Sequence, residues 1–168
     1  SCSGASCTVM LNAARTVTAN FAAGVVLSVA KAGNGGGLVY STAVGINCGS
    51  SCSATVPPGT LVSLVAAPAP GASFIGWSDP ACTGNVCQVA MNSARTLTAT
   101  FGADATLSLA VLGSGTVTAA GGEISCSAVC SKVFPYGTSL VLTATPAAGF
   151  RFAGWSGACS GTANPCTV

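Results

Sequence analysis

Two segments of the chain alternate apolar and polar residues in the same way. In "RTVTANF", residues 15–21, and in "RTLTATF", residues 95–101, every second residue is apolar and Thr or Asn stands between. A period of two residues is typical of a half-buried β-strand, so we predict a strand in each segment. The residues on the two apolar faces are Val17, Ala19, Phe21, Leu97, Ala99 and Phe101.

The remaining patterned segments also predict strands. Apolar residues alternate from Val62 after the turn sequence "PGT" and from Leu140 after "YGT". The segments "LSVAKAGNGG" and "LSLAVLGSG" predict strands that enter Gly-rich hairpin turns. Only "MLNAAR" and "MNSAR" fit a short helical turn. The predicted fold class is therefore all-β, with little or no helix.

The chain contains an internal repeat. Residues 7–21, "CTVMLNAARTVTANF", align with residues 87–101, "CQVAMNSARTLTATF", and residues 47–78 align with residues 125–156. Self-similarity at a nearly fixed offset, here about 80 residues, indicates tandem small domains. The predicted organisation is a tail of a preceding repeat (1–21), a complete repeat (22–102) and a second repeat that lacks its last strand (103–168).

Composition and charge exclude several functions. Charged residues make up 5% of the 168 residues and give a net charge of +2 without any block of like charge, so no nucleic acid is expected as partner. The chain has no His, and its only carboxylates, Asp79, Asp104 and Glu123, lie far apart. Triads, His-ligated metals and paired acid/base carboxylates are thereby excluded. We predict no enzyme activity, no catalytic residue, no cofactor and no metal.

Ten cysteines form five local pairs in the sequence. The pairs are Cys2 and Cys7, Cys48 and Cys52, Cys82 and Cys87, Cys126 and Cys130, and Cys159 and Cys166. Four cysteines per repeat could instead hold a structural zinc ion, but the spacing of the pair after each Trp varies, which favours disulfides. Persisting disulfides predict a secreted, periplasmic or cell-surface location. Because "SCSGASC" has no features of a secretion signal, such a signal is expected upstream of Ser1. The apolar stretches are broken by Ser, Pro and Gly, so no membrane insertion is expected.

Two aromatic motifs recur at the same place in the repeat. Trp77 and Trp155 stand in "FIGWS" and "FAGWS", each three residues after a Phe. An exposed Trp can stack on a sugar, but one Trp per repeat at a fixed place favours a core position. The predicted core anchors are Trp77, Trp155, Phe21 and Phe101.

The segment from Cys48 to Phe101 resembles the bacterial divergent InlB B-repeat family. The resemblance rests on the elements "G-W-S...C...C-x-V-x-M" and "A-R-T-V-T-A-x-F" and covers nearly the whole chain, as one full and two partial copies. It implies a small β-grasp-like module, strung in tandem in secreted or cell-surface proteins that act as stalks, spacers or adhesive surfaces. The family has no catalytic motif to carry over, so only the paired cysteines and the Trp are transferred, as structural elements.

Three charged residues near these motifs are assigned structural roles. Arg15 and Arg95 stand at the start of equivalent strands, where they could contact a ligand or satisfy loop carbonyls, and the second use is favoured. Asp79, in "SDPAC", replaces the more usual "SGAC" seen at 156–159. We interpret it as a turn-forming residue rather than a ligand.

Three functions are compatible with the sequence. The favoured one is a non-catalytic structural module of an extracellular stalk or fibre, with self-association or neighbouring repeats as partners. The alternatives are an adhesin module that binds a glycan or host surface, and an accessory domain of a secreted enzyme. An adhesin would need a cluster of exposed aromatics or a wide apolar patch.

The two ends of the chain are complementary. The last repeat stops at Val168 before its terminal strand, whereas residues 8–21 are such a strand without a repeat of their own. Either the strand of one subunit is donated to the open sheet edge of the next, which would grow a fibre, or the missing strand follows Val168 covalently in a longer array.

Overall fold

The computed structural model describes residues 8–168, and the regular structure within them is almost entirely β-strand. Its only helical element there is one 3-10 turn, Ala120–Gly122. The strands of the first unit are β1 (Val25–Ala32), β2 (Gly37–Ser41), β3 (Ile46–Asn47), β4 (Ser53–Val56), β5 (Thr60–Pro68), β6 (Ala72–Trp77), β7 (Val86–Met91) and β8 (Arg95–Ala103). Those of the second unit are β9 (Ala105–Ala110), β10 (Gly115–Ala119), β11 (Ser125–Cys126), β12 (Val129–Phe134), β13 (Val141–Pro146) and β14 (Cys166–Thr167). The predicted all-β class is confirmed.

The first unit is a sandwich of two four-stranded sheets. Their strand orders are β4-β1-β8-β6 and β3-β2-β5-β7. The first and last strands, β1 and β8, are parallel neighbours in the middle of their sheet, with Val29 opposite Leu97, and every other pair is antiparallel. The parallel pairing of the first and last strands was not indicated by the sequence. The predicted boundary after residue 102 falls inside β8, which continues to Ala103.

Alternating residues from both sheets form the core of the first unit. The faces predicted for β5 and β8 are confirmed. The buried residues are Val62, Leu64 and Ala66 on β5 and Leu97, Ala99 and Phe101 on β8. Burying a large apolar side chain contributes roughly 1.5–3 kcal/mol relative to leaving it in water. The buried residues are Leu27, Val29, Val39, Ile46, Cys48, Val56, Val62, Leu64, Ala66, Cys87, Val89, Met91, Leu97, Ala99 and Phe101.

The Gly-rich segments are not hairpin turns, and that prediction is wrong. β1 pairs with β4 and β8, whereas β2 pairs with β3 and β5, so residues 33–36 cross from one sheet to the other. This loop lies directly on the end of β8, where the Gly35 N–H donates to the Phe101 carbonyl at 3.0 Å. Gly33 has a φ of 92°, and a Cβ there would overlap the same carbonyl. Glycine is required because the two backbones approach so closely.

The second unit has the same plan but fewer strands. One sheet has the order β11-β10-β13-β14, and the other contains only β12 and β9. By sequence alignment, β9 corresponds to β1 and β12 to β4, while β6 and β8 have no strand that corresponds to them. Residues 150–155, which align with β6, form only an isolated bridge between Trp155 and Gly161. The sheet that is complete in the first unit is therefore half formed in the second.

The strand predicted at residues 15–21 is not formed. Residues 8–24 contain no strand, and the side chain of Phe21 is 95% exposed, so the prediction of Phe21 as a core anchor is not met within this chain. The physical reason is that an alternating segment becomes a strand only when a sheet edge pairs with it, and nothing in residues 8–168 does so. Phe101, its counterpart on β8, is 1% exposed.

We expect residues 22–104 to fold alone. This segment contains all eight strands of the complete sandwich, both of its disulfides and its whole core. A unit of about 80 residues is small for independent folding, but the disulfides compensate for its limited core. Circular dichroism of the oxidised segment should give a β-rich spectrum and one cooperative melt. A disordered spectrum would mean that the second unit is required for the first to fold.

Candidate functional site

The described cysteines form four local disulfides. The bridges are Cys48–Cys52, Cys82–Cys87, Cys126–Cys130 and Cys159–Cys166, and no cysteine within residues 8–168 is free. They follow the predicted pairing, so these eight cysteines do not form the alternative zinc sites. The predicted pair of Cys2 and Cys7 lies outside the described residues. Cys48 and Cys87 belong to the buried core, so each of these two bridges ties a surface loop to the interior.

Each tryptophan connects a disulfide loop to the core. The indole N–H of Trp77 donates to the Gly84 carbonyl at 3.1 Å, and that of Trp155 to the Ala163 carbonyl at 2.9 Å. Both rings are half-buried and pack edge-on against the Phe three residues earlier, with centroids 5.5 Å and 5.1 Å apart. Both therefore lie against the cores, with their polar edge bonded to a loop.

Asp79 and Arg95 form an ion pair that the sequence did not reveal. Arg95 Nη2 lies 2.6 Å from Asp79 Oδ2, and the Ala81 N–H donates to Asp79 Oδ1 at 3.0 Å, which is the predicted turn-forming role. The pKa of Asp79 lies below its ordinary value of 3.8, first because of the Ala81 hydrogen bond. Partial desolvation acts in the opposite direction, and the hydrogen bond and charge of Arg95 lower the pKa further. Gly157 stands at the equivalent position of the second unit, so this pair belongs to the first unit only.

Acid should weaken the first unit through this carboxylate. Because the pKa of Asp79 is lower in the folded than in the unfolded chain, its contribution to stability is present above pH 3.8 and is lost as the pH falls through the folded-state pKa. We expect Asp79→Asn to be less stable than wild type at neutral pH and to lose less stability below pH 3.8. Urea denaturation at both pH values measures this. Glu123→Gln, which changes an exposed carboxylate of the second unit, should keep the wild-type difference.

A single residue joins the two units. β8 ends at Ala103 and β9 begins at Ala105, with Asp104 between them. The Asp104 carboxylate accepts a hydrogen bond from the Ser73 hydroxyl of the first unit at 2.7 Å and one from the Tyr136 N–H of the second unit at 3.3 Å. Asp104 therefore bonds to both units as well as linking them. The sequence did not indicate this role, since nothing in the local pattern shows which partners a lone Asp will meet.

The Tyr136 ring completes this junction. It lies against Gly102, which is buried, and a Cβ added to Gly102 would overlap the ring. The Asp104 N–H also donates to the Gly71 carbonyl at 2.9 Å. A one-residue connection with contacts on both sides restricts rotation of one unit against the other.

A groove lies in the second unit where the first unit has β8. One wall is residues 108–112, which align with the second half of β1, and the other is residues 151–156, which align with residues 73–78 in and just after β6. In the first unit, β8 occupies the space between β1 and β6. The groove has a volume of about 500 Å³. Its apolar lining includes Leu109, Val111, Val117, Ala144, Phe152 and Trp155.

Comparison of equivalent residues in the two units shows that the apolar side chains along this groove are incompletely covered. Leu27 and Val29 on β1, which pairs with β8, are 0% and 6% exposed, whereas Leu107 and Leu109 on β9 are only half-buried. β9 hydrogen-bonds to β12 on one side, and no strand within residues 8–168 pairs with its other side. The groove thus combines an open strand edge with an incompletely covered apolar face, which is the chemistry that binds an extended peptide.

The described residues offer little for other chemistry. Within residues 8–168, no three Cys, Asp or Glu side chains lie together as metal ligands would. The same part of the chain contains no helix with the length and hydropathy needed to span a bilayer.

The fold and its disulfides define a class of protein. The chain carries tandem copies of a small, disulfide-bonded β-sheet module whose first strand, where the module is complete, pairs in parallel with its last. Residues 28–105 and 114–168 match the divergent InlB B-repeat domain, and the chain belongs to this family. It has no significant match among curated proteins or solved structures. The disulfides and the family together indicate an oxidising extracellular compartment.

Proposed function

We propose that this chain is a non-catalytic structural module, a stiff spacer in an extracellular stalk or fibre of a bacterial surface. The observation that carries the proposal is the junction at Asp104. A spacer must hold consecutive domains at a fixed angle, and a flexible linker of several residues would not do so. Here the connection is one residue long and is fixed by hydrogen bonds to both units and by the Tyr136 ring.

Two further properties support a structural role. The disulfides strengthen units that have few large side chains, and they persist only where the environment is oxidising. Few ionisable groups are available for acid/base catalysis, since the chain has three carboxylates and no His. The packing of both Trp rings against Phe side chains favours a spacer over a glycan-binding adhesin.

The spacer function is tested by measuring whether the two units have the same rotational correlation time. We expect NMR relaxation of the full chain to give one rotational correlation time for both units. Insertion of four Gly-Ser residues between Asp104 and Ala105, combined with Tyr136→Ala, should separate the two values. The same insertion between Gly121 and Gly122, an exposed turn of the second unit, is the matched control and should leave them equal. Independent tumbling of the wild-type units would contradict the spacer function.

Self-assembly into a fibre is the second candidate function. The observation that favours it is the coexistence, in one chain, of an open groove shaped for β8 and of exposed residues 15–21 that match β8 in sequence. Electron microscopy of the purified protein tests it, with ordered filaments as the expected result.

A further inference from the structure

We propose that the groove of the second unit binds residues 15–23 of a second copy of this chain, which enter as a strand parallel to β9. The proposal rests on the fibre form of the proposed function and gives it a site, a direction and a register. The spacer function does not depend on it.

The first unit shows how such a strand sits. β8 lies parallel to β1 with Val29 opposite Leu97, and antiparallel to β6 with Phe74 opposite Phe101 and Trp77 opposite Ala99. The rings of Phe74 and Phe101 pack edge-on, 5.6 Å apart. One inserted strand therefore completes hydrogen bonding on both sides and supplies an aromatic side chain to the core.

Residues 15–21 match this strand closely. Five of the seven residues are identical to residues 95–101, and the two differences are Val17 for Leu97 and Asn20 for Thr100. The segment is available, because residues 8–21 are exposed and contain no strand. Apolar and polar residues alternate in the same way in both segments, so Val17, Ala19 and Phe21 lie on one face of the strand.

The alignment fixes the register in the second unit. Val17 lies opposite Leu109, as Leu97 lies opposite Val29. Phe21 then lies beside Phe152, and Ala19 lies opposite Trp155. Both aromatic residues of the groove wall thus receive the neighbours that their counterparts have in the first unit.

The occupant is a second copy because of the order of the units along the chain. Ala23, Gly24 and Val25 correspond to Ala103, Asp104 and Ala105, so the unit that follows an inserted strand takes the place after the acceptor unit. The first unit of the same chain is already held before the second unit by the junction at Asp104. The first unit of a chain cannot lie both before and after its own second unit. Each copy therefore receives the strand of another copy, head to tail.

The contact between copies is compatible with this geometry. At the junction within the chain, the Tyr136 ring covers Gly102 and leaves no room for a Cβ. Where one copy follows another, the equivalent positions are Pro58 and Ala22, both in the copy that donates the strand. The Pro ring is smaller than the Tyr ring, which leaves room for the Cβ of Ala22.

Site-directed crosslinking tests the register. Chains carrying Val17→Cys are mixed with chains carrying Leu109→Cys, and we expect a mixed disulfide dimer on non-reducing electrophoresis. Ser108→Cys, shifted by one residue and facing the opposite side of β9, is the matched control and should crosslink poorly. The double variant Val17→Cys with Leu109→Cys should form a ladder of multimers. A crosslinked monomer would overturn the proposal, because the strand would then close on its own chain.

Sedimentation velocity tests the energetics of the same contact. Phe21→Ala should weaken assembly by at least about tenfold, because it removes the aromatic anchor of the strand. Ile75→Ala is the matched control and should assemble as wild type, because it removes an exposed apolar side chain of the first unit that lies outside both the strand and the groove. A wild-type chain that stays monomeric at all concentrations, or Phe21→Ala assembling as wild type, would overturn the proposal.

The intact mass of the native protein separates the two sources of the strand. A native chain of 168 residues that assembles supports donation between copies. Native peptides that continue past Val168 into another "A-R-T-V-T-A-x-F" would overturn it, because the groove would be filled covalently. That result would leave the spacer function and its tumbling test intact.

Discussion

Phe101→Ala will lower the free energy of unfolding of the first unit by about 3–5 kcal/mol. Phe101 is buried between the two sheets, packs edge-on against Phe74 and lies against Gly37, so its removal leaves a cavity that the surrounding strands cannot fill. Urea denaturation of the monomeric protein, followed by the fluorescence of Trp77 in a Trp155→Phe background, measures the loss.

Phe21→Ala is the matched control for this variant. It removes the same side chain from the same sequence context, but Phe21 is exposed, so the stability of the monomer should change by less than about 0.5 kcal/mol. Equal effects of the two variants would mean that residues 15–21 are paired within the chain. The pair of variants therefore separates folding of a unit from assembly between copies.

Reduction of the disulfides will unfold the second unit before the first. Each bridge closes a loop of only a few residues and contributes about 2 kcal/mol in the chain-entropy model. Domains of this kind have a total stability of roughly 5–15 kcal/mol, so losing two bridges removes a large share. The second unit is less stable before reduction, because its sheet of β9 and β12 lacks two strands and its core has fewer buried residues.

Thermal melts with and without a phosphine reductant measure this order. Trp77 reports the first unit in the Trp155→Phe variant, and Trp155 reports the second in Trp77→Phe. The double variants Cys48→Ala with Cys52→Ala, and Cys126→Ala with Cys130→Ala, are matched, because both remove a bridge that joins residues four positions apart. We expect Cys126→Ala with Cys130→Ala to lower the melting temperature of the second unit by more than Cys48→Ala with Cys52→Ala lowers that of the first unit. Simultaneous melting of both units in reductant would contradict the order.

The local pattern predicted which residues of each strand face the core. The alternation in β5, β8 and β13 is a property of neighbouring residues, and Leu97, Val62 and Leu142 are buried as it indicated. Which strands pair is a different matter, since pairing joins residues far apart in sequence. The hairpin predicted at residues 33–36 was wrong for this reason, because the loop connects two sheets rather than two neighbours.

Only part of the candidate site could be predicted from the sequence. The internal repeat revealed that the second unit lacks a strand, because this follows from aligning the chain with itself. The walls of the groove and the ion pair of Asp79 with Arg95 depend on how separate segments meet in space. The role of Tyr136 at the junction was equally hidden, since the first unit has Pro58 at that position.

The parallel pairing of β1 and β8 determines how this module bears mechanical load. The chain enters the first unit at the start of β1 and leaves it at the end of β8, and these points lie at opposite ends of a ladder of six residue pairs. A pull on the two ends therefore acts along the strands and shears all the pairs together, instead of peeling them apart one after another. Resistance to such a pull is governed by the rate of unfolding under force rather than by equilibrium stability. A thread made of these units would yield only when a whole ladder slips at once.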